Sequence, residues 1–315
     1  MTHSPIVAIQ MDPLESIAPK TDTSLLLGLE AKRRGYRVFV YTPNHLSAQN
    51  GRISARGHFV DLFDDSDPHF RYLESATLNL RHADVVLMRQ DPPFNMNYIT
   101  ATYMLEALAP DTLVVNDPRS VRDCPEKWFI NAFPEFIVPT LVSADPEAIA
   151  DFRDEQKDII IKPLYGFGGR AIFHLDEDDG NFDALLEWML QTSPEPMVIQ
   201  KFIPEVRKGD LRVVFADGDI IGQMSRVPVS GDIRSNLRTG GTVERRELTT
   251  RQQIICDALG PELKARGLLF TGIDLIGDYL VEINVTSPTG LRQINSLYDA
   301  HLERALWDTI EAKLN

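Results

Sequence analysis

Apolar runs of strand length alternate with helix-period stretches through the first third of the chain. The run IVAIQM, from Ile6, is apolar and β-branched and closes on the turn signal Asp12-Pro13, which predicts a strand followed by a turn. DTSLLLGLEAKRRG, from Asp22, has its apolar positions at helical spacing, opens on a capping residue and ends on Gly35. RVFVYTP then predicts a second strand, and strand, helix, strand in under about forty residues is the βαβ pattern of a parallel sheet. ADVVLMRQDPP repeats the strand-then-loop arrangement, YITATYMLEAL predicts a helix, and TLVVND another short strand. The expectation is an open parallel α/β unit ending near Val121. No G-x-G-x-x-G follows the first strand, so a dinucleotide fold is excluded.

The pattern then changes. CPEKWFINAF, with Pro125 near its first turn, predicts a short helix. DIIIKPLYGFGGRAIFHL reads as strand, glycine-rich loop, strand; NFDALLEWML as helix; EPMVIQKFI as strand. From Pro204 onward come the strands of LRVVFADGDIIGQMSRV, the polar loop RVPVSGDIRSNLRTGGT, a helix from Arg251, two strands in LFTGIDLIGDYLVEINV and a terminal helix. Hairpins replace βαβ units here, so this half is α+β. The expected units are 1–121, 122–203 and 204–315.

Composition narrows the class. A chain of 315 residues, 43% hydrophobic, is long enough for two or three packed units. No apolar run approaches the roughly 20 residues that span a membrane, and the N-terminus reads as a strand, not a signal peptide. Two cysteines argue against a disulfide scaffold and for a reducing, cytoplasmic setting. A formal charge of −14 opposes non-specific nucleic-acid binding; the basic cluster AKRRGYR reads as the solvated face of a helix. The seven histidines show no paired ligand spacing, and G-x-S-x-G is absent, which disfavours zinc and nucleophilic catalysis.

Two constellations carry chemistry. Gly166, Gly168 and Gly169 lie between apolar strands, where their N–H groups could cradle phosphate oxygens or simply make a hairpin turn. Lys162, on the strand before them, is either a cleft-facing ammonium for phosphate or an edge-strand lysine facing water. Further on, Glu282 and Asn284 leave the same face of one strand, and Asp274 sits across a tight hairpin from them. Two carboxylates and an amide oxygen suit magnesium that also holds phosphates. The alternative, a solvated polar stripe, conflicts with the strongly apolar flanking positions.

With strand lysine, glycine loop and D…E-x-N set in that order, the chain resembles an ATP-grasp ligase. MRQDPPFNMNYITATYMLE, NDPRSVRDCPEKWF, IIIKPLYGFGGRAIF and GLLFTGIDLIGDYLVEINVTSPTG are together similar to the bacterial glutathione synthetases, from IQMDPLESI to DTIEAKLN. The resemblance implies an ATP-grasp fold behind an N-terminal open parallel α/β domain. It implies that γ-glutamylcysteine and glycine are joined through an acyl phosphate, with ATP and magnesium or manganese, by a cytoplasmic homotetramer that binds no nucleic acid and no membrane. Lys127 and Lys162 match the lysines that hold ATP phosphates, and Gly166, Gly168 and Gly169 the loop over them. Gln200, Lys201, Phe202 and Ile203 match the adenine-side linker, and Asp210 the ribose-side acid. Arg212 and Arg226 match cleft arginines near the transferred phosphate, while Arg234 and Asn236 match the loop that closes over the site. Asp274, Glu282 and Asn284 match the metal ligands; Arg89, Thr289 and Arg292 match the border of the dipeptide. The chain departs from the family pattern at Gln90, Tyr165, Phe167, Arg170, Arg238 and Thr242. The alternatives are a carboxylate–amine ligase with another acceptor and a non-catalytic ATP-binding protein.

Overall fold

The computed structural model describes residues 4–193, 195–229, 233–234 and 240–314. Three sheets organise them. The first uses β1 (Ile6–Gln10), β2 (Arg37–Tyr41), β3 (Leu46–Gln49), β4 (Arg52–Leu62), β5 (Phe70–Asn79), β6 (Val85–Met88) and β7 (Leu113–Val115), in the order β3-β4-β2-β1-β6-β7 with β5 on β4. Its helices are α1 (Thr23–Arg33), α2 (Met96–Glu106) and α3 (Pro118–Asp123). β1 is fully buried because its alternate residues enter different cores: Ile6 and Ala8 join one cluster, Val7 and Ile9 another. Asp22 caps α1 by accepting from the Leu25 N–H, and Gly35 leaves it at φ +89°.

β2, β1, β6 and β7 are parallel, as the βαβ pattern predicts. β3, β4 and β5 extend the sheet with antiparallel pairings. The second sheet, order β10-β9-β11-β8, is built from β8 (Thr140–Ser143), β9 (Ile159–Pro163), β10 (Phe173–Leu175) and β11 (Met197–Lys201), with α4 (Pro146–Gln156) and α5 (Phe182–Thr192). The third, order β14-β13-β12-β15-β16, uses β12 (Asp210–Ala216), β13 (Asp219–Val227), β14 (Thr242–Glu244), β15 (Phe270–Ile276) and β16 (Tyr279–Asn284). It is accompanied by α6 (Thr250–Ala265), α7 (Leu291–Tyr298) and α8 (Leu302–Leu314). The hairpin β12–β13 turns through Asp217 and Gly218, both at positive φ, the conformation that Asp-Gly favours. The fully buried Trp307 on α8 donates its indole N–H to the Leu27 carbonyl of α1 at 3.0 Å, so the C-terminal helix packs on the first unit.

The expected helix in CPEKWFINAF is corrected. α3 ends at Asp123, Cys124 sits at φ −120°, ψ 59°, and only a 3-10 turn forms at Phe129–Ala132. The residue before a proline is driven out of the helical region, and Pro125 enforces that break. The break frees Glu126 and Lys127 to enter the interior.

Candidate active site

Strand pairing assembles the centre of the site. On β12, Asp210 and Arg212 lie two apart and share a face. Asp210 is opposite Arg226 of β13, Arg212 is opposite Asp274 of β15, and Asp274 is opposite Glu282 of β16. One cross-strand row therefore carries arginine, aspartate and glutamate side by side. Arg226 grips Asp210 through Nε and Nη2 at 2.7 and 2.6 Å, and its Nη2 also lies 2.9 Å from Asp274 Oδ2. Arg212 donates Nε and Nη2 to Asp274 at 2.5 and 2.9 Å and Nη1 to the Thr289 carbonyl at 3.2 Å. Asn284 donates Nδ2 to Asp274 Oδ2 at 3.2 Å. Gly272, opposite Asn284, makes room: a Cβ there would lie 3.1 Å from Arg212 Cδ.

The second sheet supplies the facing wall. Ile159 and Ile161 point into the core under α4 and α5, and the alternate positions Ile160 and Lys162 face the cleft. β9 lies between β10 and β11, so the edge-strand reading of Lys162 does not hold; its ammonium is buried. Burial pushes Lys162 down to about 8, against the pull of Glu282. Lys127 contacts Glu282 Oε1 at 2.8 Å and donates to the Gly166 carbonyl at 2.5 Å. Burial opposes its charge, but Glu282 and Glu126 outweigh that and raise its pKa. For Asp274 and Glu282 burial alone would raise the pKa; Arg212 and Arg226 hold Asp274 well below the usual carboxylate range, and Lys127 and Lys162 lower Glu282.

These residues line two adjoining clefts. The first, with about 1140 Å3 of empty space including its open mouth, is lined by Lys127, Lys162, Gly166, Gly168, Gly169, Gln200, Lys201, Phe202, Ile203 and Asp210, and by Arg212, Arg226, Arg234, Asp274, Glu282 and Asn284. Ile160, Ile172, Val206, Ile276 and Val281 give it an apolar end. The Phe202 ring stacks on His174 at 3.9 Å. Arg212, Arg226, Asn284, Glu126, Phe167 and Gly168 also line the second cleft, which holds Arg89 and Thr289. Arg292 lines neither: it donates to the Asp22 carbonyl at 3.0 Å and pairs with Asp64 at 2.8 Å. Asn236 and Arg238 lie outside the described residues.

Sequence reasoning did not single out Glu126 or the acids Asp12, Asp22 and Asp91 of the second cleft. The Glu126 carboxyl accepts from the Thr286 hydroxyl, and burial, then the nearby Glu282, push it up to about 7. Its signal in the sequence was faint: one acid beside the lysine of CPEKWF. Both cysteines are buried, with thiols pushed up to about 11 for Cys124 and about 12 for Cys256 by loss of solvent. Buried in this way, both act as packed apolar groups.

The donor set fits a divalent cation. Among the described residues no three His, Cys, Asp or Glu groups gather as a metal cluster. Two carboxylates and an amide are hard oxygen donors that leave coordination positions for phosphate oxygens. Burial first, and then Glu282, raises the Glu126 carboxyl, and a cation held by Glu282 would offset the second of these.

Comparison with known proteins identifies the family. The family profile described as "Prokaryotic glutathione synthetase, N-terminal domain" matches residues 6–122, and "Prokaryotic glutathione synthetase, ATP-grasp domain" matches 126–299. The chain is 47% identical to the glutathione synthetase of Mesorhizobium japonicum over 98% of both chains. It is 41% identical to that of Pseudomonas putida, again over 98% of both. Among solved structures, a D-cycloserine synthetase aligns over 98% of this chain and 100% of its own, with TM-score 0.68 at 14% identity, which speaks for the ATP-grasp fold alone. Two profiles that together span most of the sequence, and relatives this similar over nearly full length, place the chain in the prokaryotic glutathione synthetase family of ATP-dependent ATP-grasp ligases, which use a divalent metal.

Proposed function

We propose that this chain joins the cysteinyl carboxylate of γ-glutamylcysteine to the amine of glycine, releasing ADP and phosphate. The observation that carries the reading is the cross-strand row Arg212, Asp274, Glu282, with Arg226 and Asn284, at the junction of two clefts. A carboxylate is a poor acyl donor, so it needs phosphorylation before an amine can displace phosphate from it. The first cleft suits the nucleotide: apolar residues beside Gln200 to Ile203 would take the base, with Asp210 toward the ribose. Lys127, Lys162 and the N–H groups of Gly166, Gly168 and Gly169 would hold the phosphates. The second cleft, with Arg89 and Thr289, suits the dipeptide.

Arg212 and Arg226 stand where both clefts meet, and there their guanidinium groups neutralise charge on the transferred phosphoryl group and the oxyanion of amine attack. Asp274, Glu282 and Asn284 would hold magnesium or manganese, which neutralises phosphate charge when bound. Water must be kept from the acyl phosphate. Arg234 and the segment carrying Asn236 are proposed to close over it, and shortening Ser230 to Gly240 should uncouple ATP hydrolysis from peptide formation.

A homotetrameric, cytoplasmic enzyme belongs to the same proposal. Among the described residues no helix is long and apolar enough to cross a membrane. The test is ADP release by the purified protein. It should require γ-glutamylcysteine and glycine together, and no stimulation by that pair would refute the proposal.

A further inference from the structure

A pair of aromatic rings joins a loop of the first unit to the glycine-rich loop of the second sheet. Tyr165 stands at the base of the glycine-rich loop, and Phe94 lies in the segment between β6 and α2. Their rings stack with centroids 5.9 Å apart and planes 29° from parallel. Phe94 is anchored from behind by the buried Tyr98 of α2, whose ring centroid is 5.2 Å away. Tyr165 is 40% exposed, and among the described residues Phe94 is its one aromatic neighbour.

Each ring sits next to backbone that shapes a different cleft. Gly166, beside Tyr165, offers its carbonyl to Lys127, which in turn pairs with Glu282. Arg89, Asp91 and Pro92, just before Phe94, line the second cleft, and the Asp91 N–H donates to Asp12 Oδ2 at 2.9 Å. The loop between the rings and the nucleotide cleft has Gly168 and Gly169 at φ +67° and +75°, a backbone that samples many states unless something restrains its base.

We propose that the Phe94–Tyr165 stack couples the glycine-rich loop over the nucleotide cleft to the wall of the acyl-substrate cleft, making both residues positioning residues for the ligation. Neither ring touches reacting groups; Tyr165 acts through Gly166 and Phe94 through Asp91 and Pro92. An aromatic pair of this kind biases its closed arrangement by about 2- to 10-fold. The proposal rests on the ligase reading, so the wild-type protein is first assayed for peptide formation from γ-glutamylcysteine and glycine; failure there sinks that reading and not the coupling.

With an active wild type, KM for ATP and the ratio of ADP released to peptide formed are measured for Tyr165→Phe, Tyr165→Ala, Phe94→Leu and the double variant Phe94→Leu/Tyr165→Ala. Tyr165→Phe keeps the ring and should behave as wild type. Tyr165→Ala and Phe94→Leu should each raise KM for ATP about 2- to 10-fold and raise the ADP-to-peptide ratio above one, with unfolding temperature unchanged. The double variant should be no worse than the poorer single one. Additive effects, an unchanged ratio in Tyr165→Ala, or a Tyr165→Phe variant as impaired as Tyr165→Ala would each overturn the coupling.

Discussion

Replacing Lys162 by Met keeps the length and apolar stem of the side chain and removes one buried charge. Lys162 is almost wholly shielded from solvent, and burial takes its pKa from the ordinary 10.5 to about 8. At about 1.36 kcal/mol per pH unit, that gap makes the buried ammonium a burden of about 3 kcal/mol on the folded state at neutral pH. The sign follows from the lowered value. Below about pH 8 lysine is charged in both states and the penalty is full; it fades as pH rises toward 10.5 and the unfolded chain alone holds the proton.

Lys162→Met should therefore be more stable than wild type at pH 7 and no more stable above pH 10.5. With about 2.1 cal/mol/K of unfolding entropy per residue, 3 kcal/mol spread over 315 residues raises the unfolding temperature by about 5 °C. The same variant should bind a non-hydrolysable ATP analogue poorly. In the proposed role only the ammonium form would hold phosphate, so affinity should fall about tenfold between pH 7 and pH 9 as Lys162 loses its proton. Scanning calorimetry without nucleotide and titration calorimetry across that range read both effects. A destabilised Lys162→Met, or a pH-independent affinity in the wild type, refutes the reasoning.

Three further outcomes are expected. Glu282→Ala should abolish turnover, because it strips a carboxylate from the proposed metal set and leaves Lys127 buried without its 2.8 Å partner; near-normal activity in magnesium buffer would disprove the metal assignment. Gly272→Ala places a Cβ 3.1 Å from Arg212 Cδ. That should lower kcat/KM about tenfold for about 1 kcal/mol of stability, and unchanged kinetics would show that Arg212 tolerates displacement. Cys124 and Cys256, buried with raised thiol pKa values of about 11 and about 12, should resist thiol reagents at pH 8 until denaturant is added; rapid stoichiometric labelling of the native protein would contradict their burial.

Local pattern in the chain determined much of this protein. Strand periodicity placed Lys162 before the glycine loop and put Glu282 and Asn284 on one face of β16, since side chains two apart on a strand must point the same way. Asp22 and Gly35 bounded α1 for reasons contained within a few residues. Pro125, read locally as the start of a helix, instead broke one, and the antiparallel β3, β4 and β5 escaped the sequence pattern because pairing depends on distant partners. Only the tertiary structure decided that β9 is an interior strand, and hence that Lys162 is buried. Only strand register set Arg212 against Asp274, 62 residues away, and carried Arg226 onto both Asp210 and Asp274. Glu126 became a perturbed acid only when the fold buried it and put it near Glu282, and the fold set Arg292 against the Asp22 carbonyl and Asp64. Electrostatic energy depends on distance and burial in space, and neither quantity can be read from separation along the chain.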